Sequence, residues 1–530
     1  MARRLHDSLS GLSALHLLTM LGGGVSYLLY DSFSTALAAG AVNGTFADTG
    51  QTRTVVDTNS KLSITGGVAS FATGGSAVGN PGLYYPSMAR QAGLTVLGSV
   101  ILTTNVLEFG FDTNQSGVLS FGINPNTGGG LSIIDFASFK LVGAGIAAGV
   151  TYQLALSLKG TGCYFYIRGG VFTSWMLLWI SIQSNAAVFP AIISEATTDV
   201  FIADNIRVPI ALFIPQPLAY DTFTRANGAL GSTETSGPDS QVLSAIAWAF
   251  TVGIWTIVSN AAVGSPASGA DAIVNGAFAS GANWSLGAGW AIAAGLLTGT
   301  ATSADATQNP AVLTVGQWYR CVYTISAFAA GTAQLVVGGI AFPTHAANAT
   351  YTETGRAVTT AYLFRGAGWT GSIDNASALL LTTAELFSSV QVSSADVIYD
   401  VAITLPAALG GVQGGAVLNL DSTSSPANFI LVYLDGRGNL VCEECVAGVY
   451  GAAKFTTAIT YSAGATLRVI RDGTSLRAFY NNAAVSTVQT MTSNVNTRVG
   501  NFSTSPLVSF DNVLVMPRGT GGEYSGLDSF

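Results

Sequence analysis

From Tyr30 to Pro517 the chain consists of short runs rich in Val, Ile, Thr, Phe and Tyr, cut about every 8–12 residues by Gly, Asn, Asp or Ser. Examples are Leu62-Ser-Ile-Thr-Gly66, Gly98-Ser-Val-Ile-Leu-Thr103, Val106-Leu-Glu-Phe-Gly-Phe111 and Ala416-Val-Leu-Asn-Leu420. An amphipathic helix needs a longer uninterrupted stretch of 3.6-residue periodicity, and none follows the first thirty residues. The pattern therefore predicts an all-β protein of stacked antiparallel sheets. With 49% hydrophobic and 9% charged residues among 530, the chain has the apolar surface to close several cores, which excludes intrinsic disorder. A net charge of −8 with 20 Lys and Arg argues against a nucleic-acid partner, because phosphate binding requires clustered cations.

Internal repeats set the layout. Tyr30-Asp-Ser-Phe33, followed by Val42-Asn-Gly44 and Asp48-Thr-Gly50, recurs as Tyr220-Asp-Thr-Phe223, Ala226-Asn-Gly228 and Ser236-Gly-Pro238. The closing run Phe201-Ile-Ala-Asp-Asn-Ile-Arg-Val-Pro209 matches Val508-Ser-Phe-Asp-Asn-Val-Leu-Val-Met-Pro517. Between them, Gly149 to Tyr166 and Gly464 to Tyr480 each read as strand, Gly-containing turn and strand. The chain thus holds two copies of one sandwich, at 29–213 and at 218–265 with 386–518. The second copy is interrupted by its own domain at 270–385, joined to the first by a stiff Pro215-Gln-Pro217 linker, and followed by a polar Gly-rich tail at 519–530.

Two charge-free stretches are tested as membrane spans. Ser8 to Tyr30 is broken by His16 and Gly22-Gly23-Gly24, and Val171 to Ile182 is too short for the ~20 apolar residues a spanning helix needs. The latter is expected to form buried strands, so no stable membrane insertion is predicted. Leu5, Leu9, Leu12, Leu15 and Leu18 recur at helical spacing, which predicts a short amphipathic helix in 1–28 that docks on a partner or oligomerises. A secretory signal or anchor, led by Arg3 and Arg4, and a plain packing helix are the alternatives, although no small-x-small cleavage site closes the segment.

Asp221-Thr-Phe223 with Ala226-Asn-Gly228, the Arg471-Asp-Gly473 hairpin with Phe479-Tyr-Asn-Asn482, and Phe510-Asp-Asn-Val513 resemble concanavalin A-like (laminin G-like) jelly rolls of phage virion and bacterial surface proteins. The insert resembles a galactose-binding-like module through Asn275-Gly-Ala-Phe278, Trp284, Trp290, Gly316-Gln-Trp-Tyr319 and Ile373-Asp-Asn375. The fold these resemblances imply is two concanavalin A-like jelly-roll sandwiches. The second is interrupted by a galactose-binding-like β-sandwich, and a short N-terminal helix precedes the whole. Fold of this kind does not fix function.

Glucanases of the concanavalin A-like family carry a Glu-x-Asp-x-x-Glu strand, which sets two carboxylates across a glycosidic bond. Glu108 with Asp112 is the nearest approach and has a different spacing. His6, His16 and His345 fall in no triad or metal pattern, and His345 reads as a solvated loop residue. Cys442-Glu-Glu-Cys445 is a lone pair without a second, and Cys163 and Cys321 read as small buried hydrophobes. No catalytic residue is assigned, and the chain is expected not to be an enzyme.

Sugar binding is the favoured chemistry, since Trp and Tyr faces stack on sugar C–H faces while hydroxyls find polar partners at the rim. The candidates in the insert are Trp369, Arg365, Tyr362 and Trp284, with Trp369 read as a loop residue and Trp290 and Trp318 assigned to the core. The module resemblance implies one structural calcium ion at Asn275 and Asp374, and no other cofactor. The Asp-Asn pairs at 204, 374 and 511 read as strand-end caps, and Asp435-Gly-Arg-Gly-Asn439 as a self-stabilised turn.

Together these features predict a phage tail-fibre, spike or capsid-decoration protein on the virion surface. It would be a homo-oligomer, with a trimer as the working assumption, docked to other virion proteins through 1–28 and touching host glycans. A secreted or surface-anchored bacterial carbohydrate-binding protein is the alternative.

Overall fold

The computed structural model describes residues 26–530 apart from 57–59, 72–81, 105, 114–118, 129, 137, 144–145, 184–188, 195–199, 251–253, 266–267, 382–384 and 406–411. The N-terminal helix predicted in 1–28 lies almost wholly outside the described residues. Among the described residues no helix is long and apolar enough to cross a membrane. The chain divides into two units. The first ends at Gln216 and takes in Gly237–Gln241 and Pro517–Phe530, and the second comprises Pro217–Ser236 with Val242–Met516.

The first unit is a sandwich of antiparallel sheets. One runs in the order Leu62–Thr65, Val68–Phe71, Val200–Pro209, Thr95–Thr104, Thr151–Leu158, Cys163–Gly169, Phe172–Ile180. The other runs Thr54–Val56, Gly82–Tyr84, Phe189–Ser194, Leu107–Asp112, Phe121–Asn124, Leu131–Asp135, Phe139–Gly143. The segment Phe172–Ile180, with four aromatic or Met residues, is a sheet-edge strand whose last six residues are buried.

The second unit repeats this strand order through the central strands of both sheets. Its first sheet runs Ile254–Val258, Ala261–Ser265, Ser509–Pro517, Val397–Thr404, Ala465–Asp472, Ser475–Tyr480. Its second runs Ala249–Phe250, Leu386–Gln391, Arg498–Ser503, Gly414–Leu420, Phe429–Leu434, Asn439–Val446, Val449–Tyr450. The insert falls between Ala261–Ser265 and Leu386–Gln391, the place that in the first copy is spanned by the connection from Phe71 to Gly82. It keeps a core of its own, including Phe278, Trp284, Tyr323, Phe364 and Trp369. Two 20-residue strands, Trp318–Val337 and Tyr362–Leu381, organise it. The first half of Trp318–Val337 pairs with Ala349–Arg356 and the second half with Ile340–His345, with register shifts between them.

The repeated motifs have repeated geometry. Asp31 accepts a hydrogen bond from the Phe33 N–H at 3.0 Å and Asp221 from the Phe223 N–H at 2.8 Å. Both phenylalanines are buried at φ near +53° and +52°. The carboxylate holds a left-handed turn that a bulky residue would otherwise avoid.

Two expectations are corrected here. The Asp-Asn pairs do not cap strand ends: each lies inside a strand, with Asn205, Asn375 and Asn512 at φ 51°, 53° and 52°. In each, the Asp carboxylate accepts the N–H of its own Asn at 2.6–2.7 Å. The ladder slips at Asp204/Arg207, so the pair at 204 marks a β-bulge, the conformation that Asn tolerates best among non-Gly residues. The 519–530 segment is not a free polar tail either. Within the first unit Tyr524 and Leu527 are buried, the Tyr524 ring lies 5.0 Å from Tyr166, and the Trp175 indole donates to Asp528 at 2.9 Å. The 237–241 segment, read as part of the second copy, also belongs to the first unit, where the Tyr164 hydroxyl donates to Asp239 at 2.8 Å.

Candidate functional site

Strand alternation in the second unit builds the site. In Phe429–Leu434, Ile430, Val432 and Leu434 enter the sandwich core, while Phe429, Leu431 and Tyr433 form a second apolar cluster on the opposite face. The neighbouring Asn439–Val446 sends Leu440 and Cys442 inward and Val441 and Cys445 to that same outer face. Phe387, Val417 and Phe502 complete the patch.

A groove of about 480 Å³ runs over this face. Its walls include Tyr433, Tyr450, Glu443, Asp435 and Arg437 from the sandwich, Trp318 from the insert, and Glu385 at the end of the insert just before the Leu386–Gln391 strand. The Tyr433 hydroxyl donates to Glu443 at 3.0 Å. Burial first, and the adjacent Glu443 second, push the Tyr433 hydroxyl far above its usual range. Burial and the hydrogen-bonded Glu385 do the same for Tyr450. Both phenols therefore stay protonated as donors, and Glu385 and Glu443 are half-buried acceptors. Asp435 is committed to its turn, accepting from the N–H groups of Arg437 and Asn439 at 2.8 and 3.0 Å and from the Asn439 amide at 2.8 Å. The groove thus combines aromatic faces with a polar rim.

The four predicted sugar-binding residues do not meet in a groove. Trp369 is 0% exposed within Tyr362–Leu381 and packs in the insert core, as does Tyr362 at 0%. Trp284 is 7% exposed, stacks on Phe364 and donates its indole N–H to the Asn275 carbonyl at 3.2 Å. Arg365 is exposed and forms a two-point pair with Asp305 at 3.0 and 3.1 Å. Trp290 is a core residue, as expected, whereas Trp318 is half-buried and lines the groove. The exchange between Trp369 and Trp318 follows from alternation. Tyr319, Cys321, Tyr323 and Ile325 fill the core, which turns Trp318 outward. That period was readable in the sequence.

The calcium residues do not present a cation cage. The Asn275 amide donates to the Ser280 and Ala282 carbonyls at 2.7 and 2.8 Å, and its oxygen accepts from Ala279 N–H at 3.0 Å. Asp374 is engaged with Asn375 through both oxygens. Carbonyls aimed at an amide N–H₂ are already paired, so these residues do not fit a hard cation needing six or more oxygens. Among the described residues no group of three or more His, Cys, Asp or Glu side chains could hold a metal.

Glu108 and Asp112 are buried, 4% and 1% exposed, with Glu108 accepting the Leu119 N–H at 3.4 Å. The C-x-x-C spacing puts Cys442 and Cys445 on opposite faces of one strand, so they cannot share a metal or pair as a disulfide. Burial pushes the Cys442 thiol up to about 12. His345 is not a solvated loop residue: its Nε2 lies 2.8 Å from Glu353, and its ring stacks on Tyr351 at 3.7 Å.

No family model and no curated protein matches the chain. Similar solved structures include a carbohydrate binding module, CBM66 from Bacillus subtilis, at 14% identity over 26% of this chain and 83% of that one, with a TM-score of 0.19. The Caenorhabditis elegans galectin LEC-6 is 15% identical over 24% of this chain and 88% of its own, with a TM-score of 0.19. LamAcat from Zobellia galactanivorans is 10% identical over 34% and 97%, with a TM-score of 0.24.

Proposed function

We propose that the chain is a glycan-binding β-sandwich protein that acts by adhesion, with its binding surface in the groove over the outer sheet face of the second sandwich. The observation that carries this reading is the convergence of Trp318, Tyr433 and Tyr450 with the acceptors Glu385 and Glu443 in one groove. Sugars need this pairing: flat apolar surfaces for their C–H faces and fixed polar groups for their hydroxyls. The setting proposed for it is a phage virion surface, with 1–28 docking the chain to the particle and the protein working as a homotrimer. Modular sandwiches and low surface charge support an assembled component, and a monomer by light scattering at physiological concentration would overturn the trimer.

Glycan-array screening followed by titration calorimetry tests the site. Trp318→Ala is expected to weaken binding by about 2 kcal/mol, roughly 30-fold, as for a central aromatic anchor. Unchanged affinity in that variant would remove the groove from the reading. One observation favours a hydrolytic alternative: Glu385 and Glu443 both line the groove, and paired carboxylates are the machinery of glycoside cleavage. Cleavage of a bound oligosaccharide that Glu443→Gln abolishes would establish that alternative, and binding without cleavage supports adhesion.

A further inference from the structure

Arg437, at the tip of the Asp435–Asn439 turn, borders the groove and also a second cavity of about 580 Å³. Phe342 and Pro343 of the insert line that cavity, with Leu405, Ile459 and Tyr461 of the sandwich. The Tyr461 hydroxyl is occupied there, accepting from Leu405 N–H and donating to Leu405 O, both at 2.7 Å. Arg437 is the one charged residue among the described residues lining this cavity, whereas the groove carries Glu385, Asp435 and Glu443. Its side chain is exposed and, among the described residues, makes no ion pair or hydrogen bond. The nearest carboxylate in sequence, Asp435, already accepts three hydrogen bonds within the turn.

The two cavities therefore differ in charge while sharing one free guanidinium. A guanidinium fork matches a carboxylate in two parallel hydrogen bonds, and the apolar walls beside it suit a sugar's C–H face. Three carboxylates in the groove disfavour an anion there. We propose that the site takes an extended oligosaccharide of mixed charge, with neutral sugars in the groove and the next unit, a uronic acid, in the second cavity with its carboxylate on Arg437. This rests on the glycan-binding reading above and names the class of glycan.

The test uses the full chain with two probes, a xylo-oligosaccharide bearing one glucuronate and the same compound with its carboxyl reduced to the alcohol. The wild type is expected to prefer the acidic probe about fivefold at low salt, the size of an exposed ion pair, with the preference fading toward 1 M NaCl. Arg437→Gln is expected to bind both probes like the wild type binds the reduced one, and Trp318→Ala to weaken both alike. If both probes bind through Trp318 with equal affinity, or if Arg437→Gln leaves the preference intact, the uronate proposal fails and the glycan-binding reading stands. If neither probe binds, the proposal fails. A glycan array then separates that result from failure of the glycan-binding reading itself.

Discussion

The two sandwiches share strand order, opening turn and a left-handed Asp-Asn pair in the closing strand, yet they treat the outer face of their second sheet differently. In the first, Tyr84, Leu119, Ile134, Ala191 and Ile193 close over it, each at most 2% exposed. In the second, the corresponding face carries Phe429, Leu431, Tyr433 and Val441 beneath an open groove, with Tyr450 37% exposed at its margin. The difference teaches that topology supplies the platform and that what stands over one face, here Trp318, Ile340 and Val358 of the insert across the groove, decides whether it becomes interior or binding surface. The insert adds Trp318 to the same groove, in the connection that the first copy bridges with a short segment.

The opening turns offer the largest contrast. Asp31 and its partner Arg53 are 0% and 2% exposed, and Tyr85 also donates to Asp31 at 2.8 Å. Asp221 is equally buried, but its partner Arg225 is 30% exposed, and the Trp248 indole donates to Asp221 at 2.7 Å. Asp31→Ala strands a buried guanidinium and is expected to cost the first sandwich about 3–5 kcal/mol. Asp221→Ala lets Arg225 rehydrate and is expected to cost the second about 1–3 kcal/mol, from the orphaned Trp248 and Phe223 donors. Hydrogen exchange resolved to each sandwich measures both, and equal losses would erase the distinction.

The outer faces come next. Ile193→Ala opens a cavity in a closed cluster and should destabilise the first sandwich by about 2–4 kcal/mol. Tyr450→Ala removes a partly exposed side chain and should change the second by less than about 1 kcal/mol while lowering glycan affinity. A stability loss for Tyr450→Ala as large as that for Ile193→Ala would make the second face structural rather than functional.

The smallest effect tests what the copies share. Burial raises the carboxyl pKa of both Asp204 and Asp511 above 3.8, more than the hydrogen bonds from Asn205 and Asn512 lower it. A raised folded pKa means that the native state binds the proton more tightly, so this contribution is present at low pH and is lost as pH climbs through the folded value. Both sandwiches should lose a little stability together as pH rises from about 3.8 through that window. Asp204→Asn should flatten the slope only in the first sandwich and Asp511→Asn only in the second, and denaturant titrations across pH 3–6 would expose any other pattern.

Much of the architecture was legible because local chemistry carries it. The Asp-x-Phe turns need a short carboxylate two residues before a left-handed residue, and the left-handed second position of the Asp-Asn pairs favours Asn, so both recur as sequence repeats. The site was less legible. Arg365-Gly-Ala-Gly-Trp-Thr-Gly371 reads as a loop, but those glycines lie inside a strand, and Gly371 makes room for the indole together with Gly299 of the neighbouring Leu296–Thr302 strand. A Cβ on Gly371 would come within 2.6 Å of the Trp369 ring, and one on Gly299 within 2.4 Å. Composition alone cannot tell a flexible glycine from one that yields space to a neighbour distant in sequence. The C-terminal segment misled in the same way, since its Gly-rich text hides Tyr524 and Leu527, which are buried only because Tyr166 and its neighbours are there to cover them.

By itself the sequence determined the all-β class and the recurring turn motifs, because strand period, turn residues and repeats are properties of short stretches of chain. Only the tertiary structure decided which aromatics face a groove, because that depends on which of two strand faces is covered and by what. Trp318 and Trp369 lie on paired strands of one sheet, and the core that Tyr319, Cys321, Tyr323 and Ile325 build beneath one face takes the Trp369 ring and leaves Trp318 at the groove.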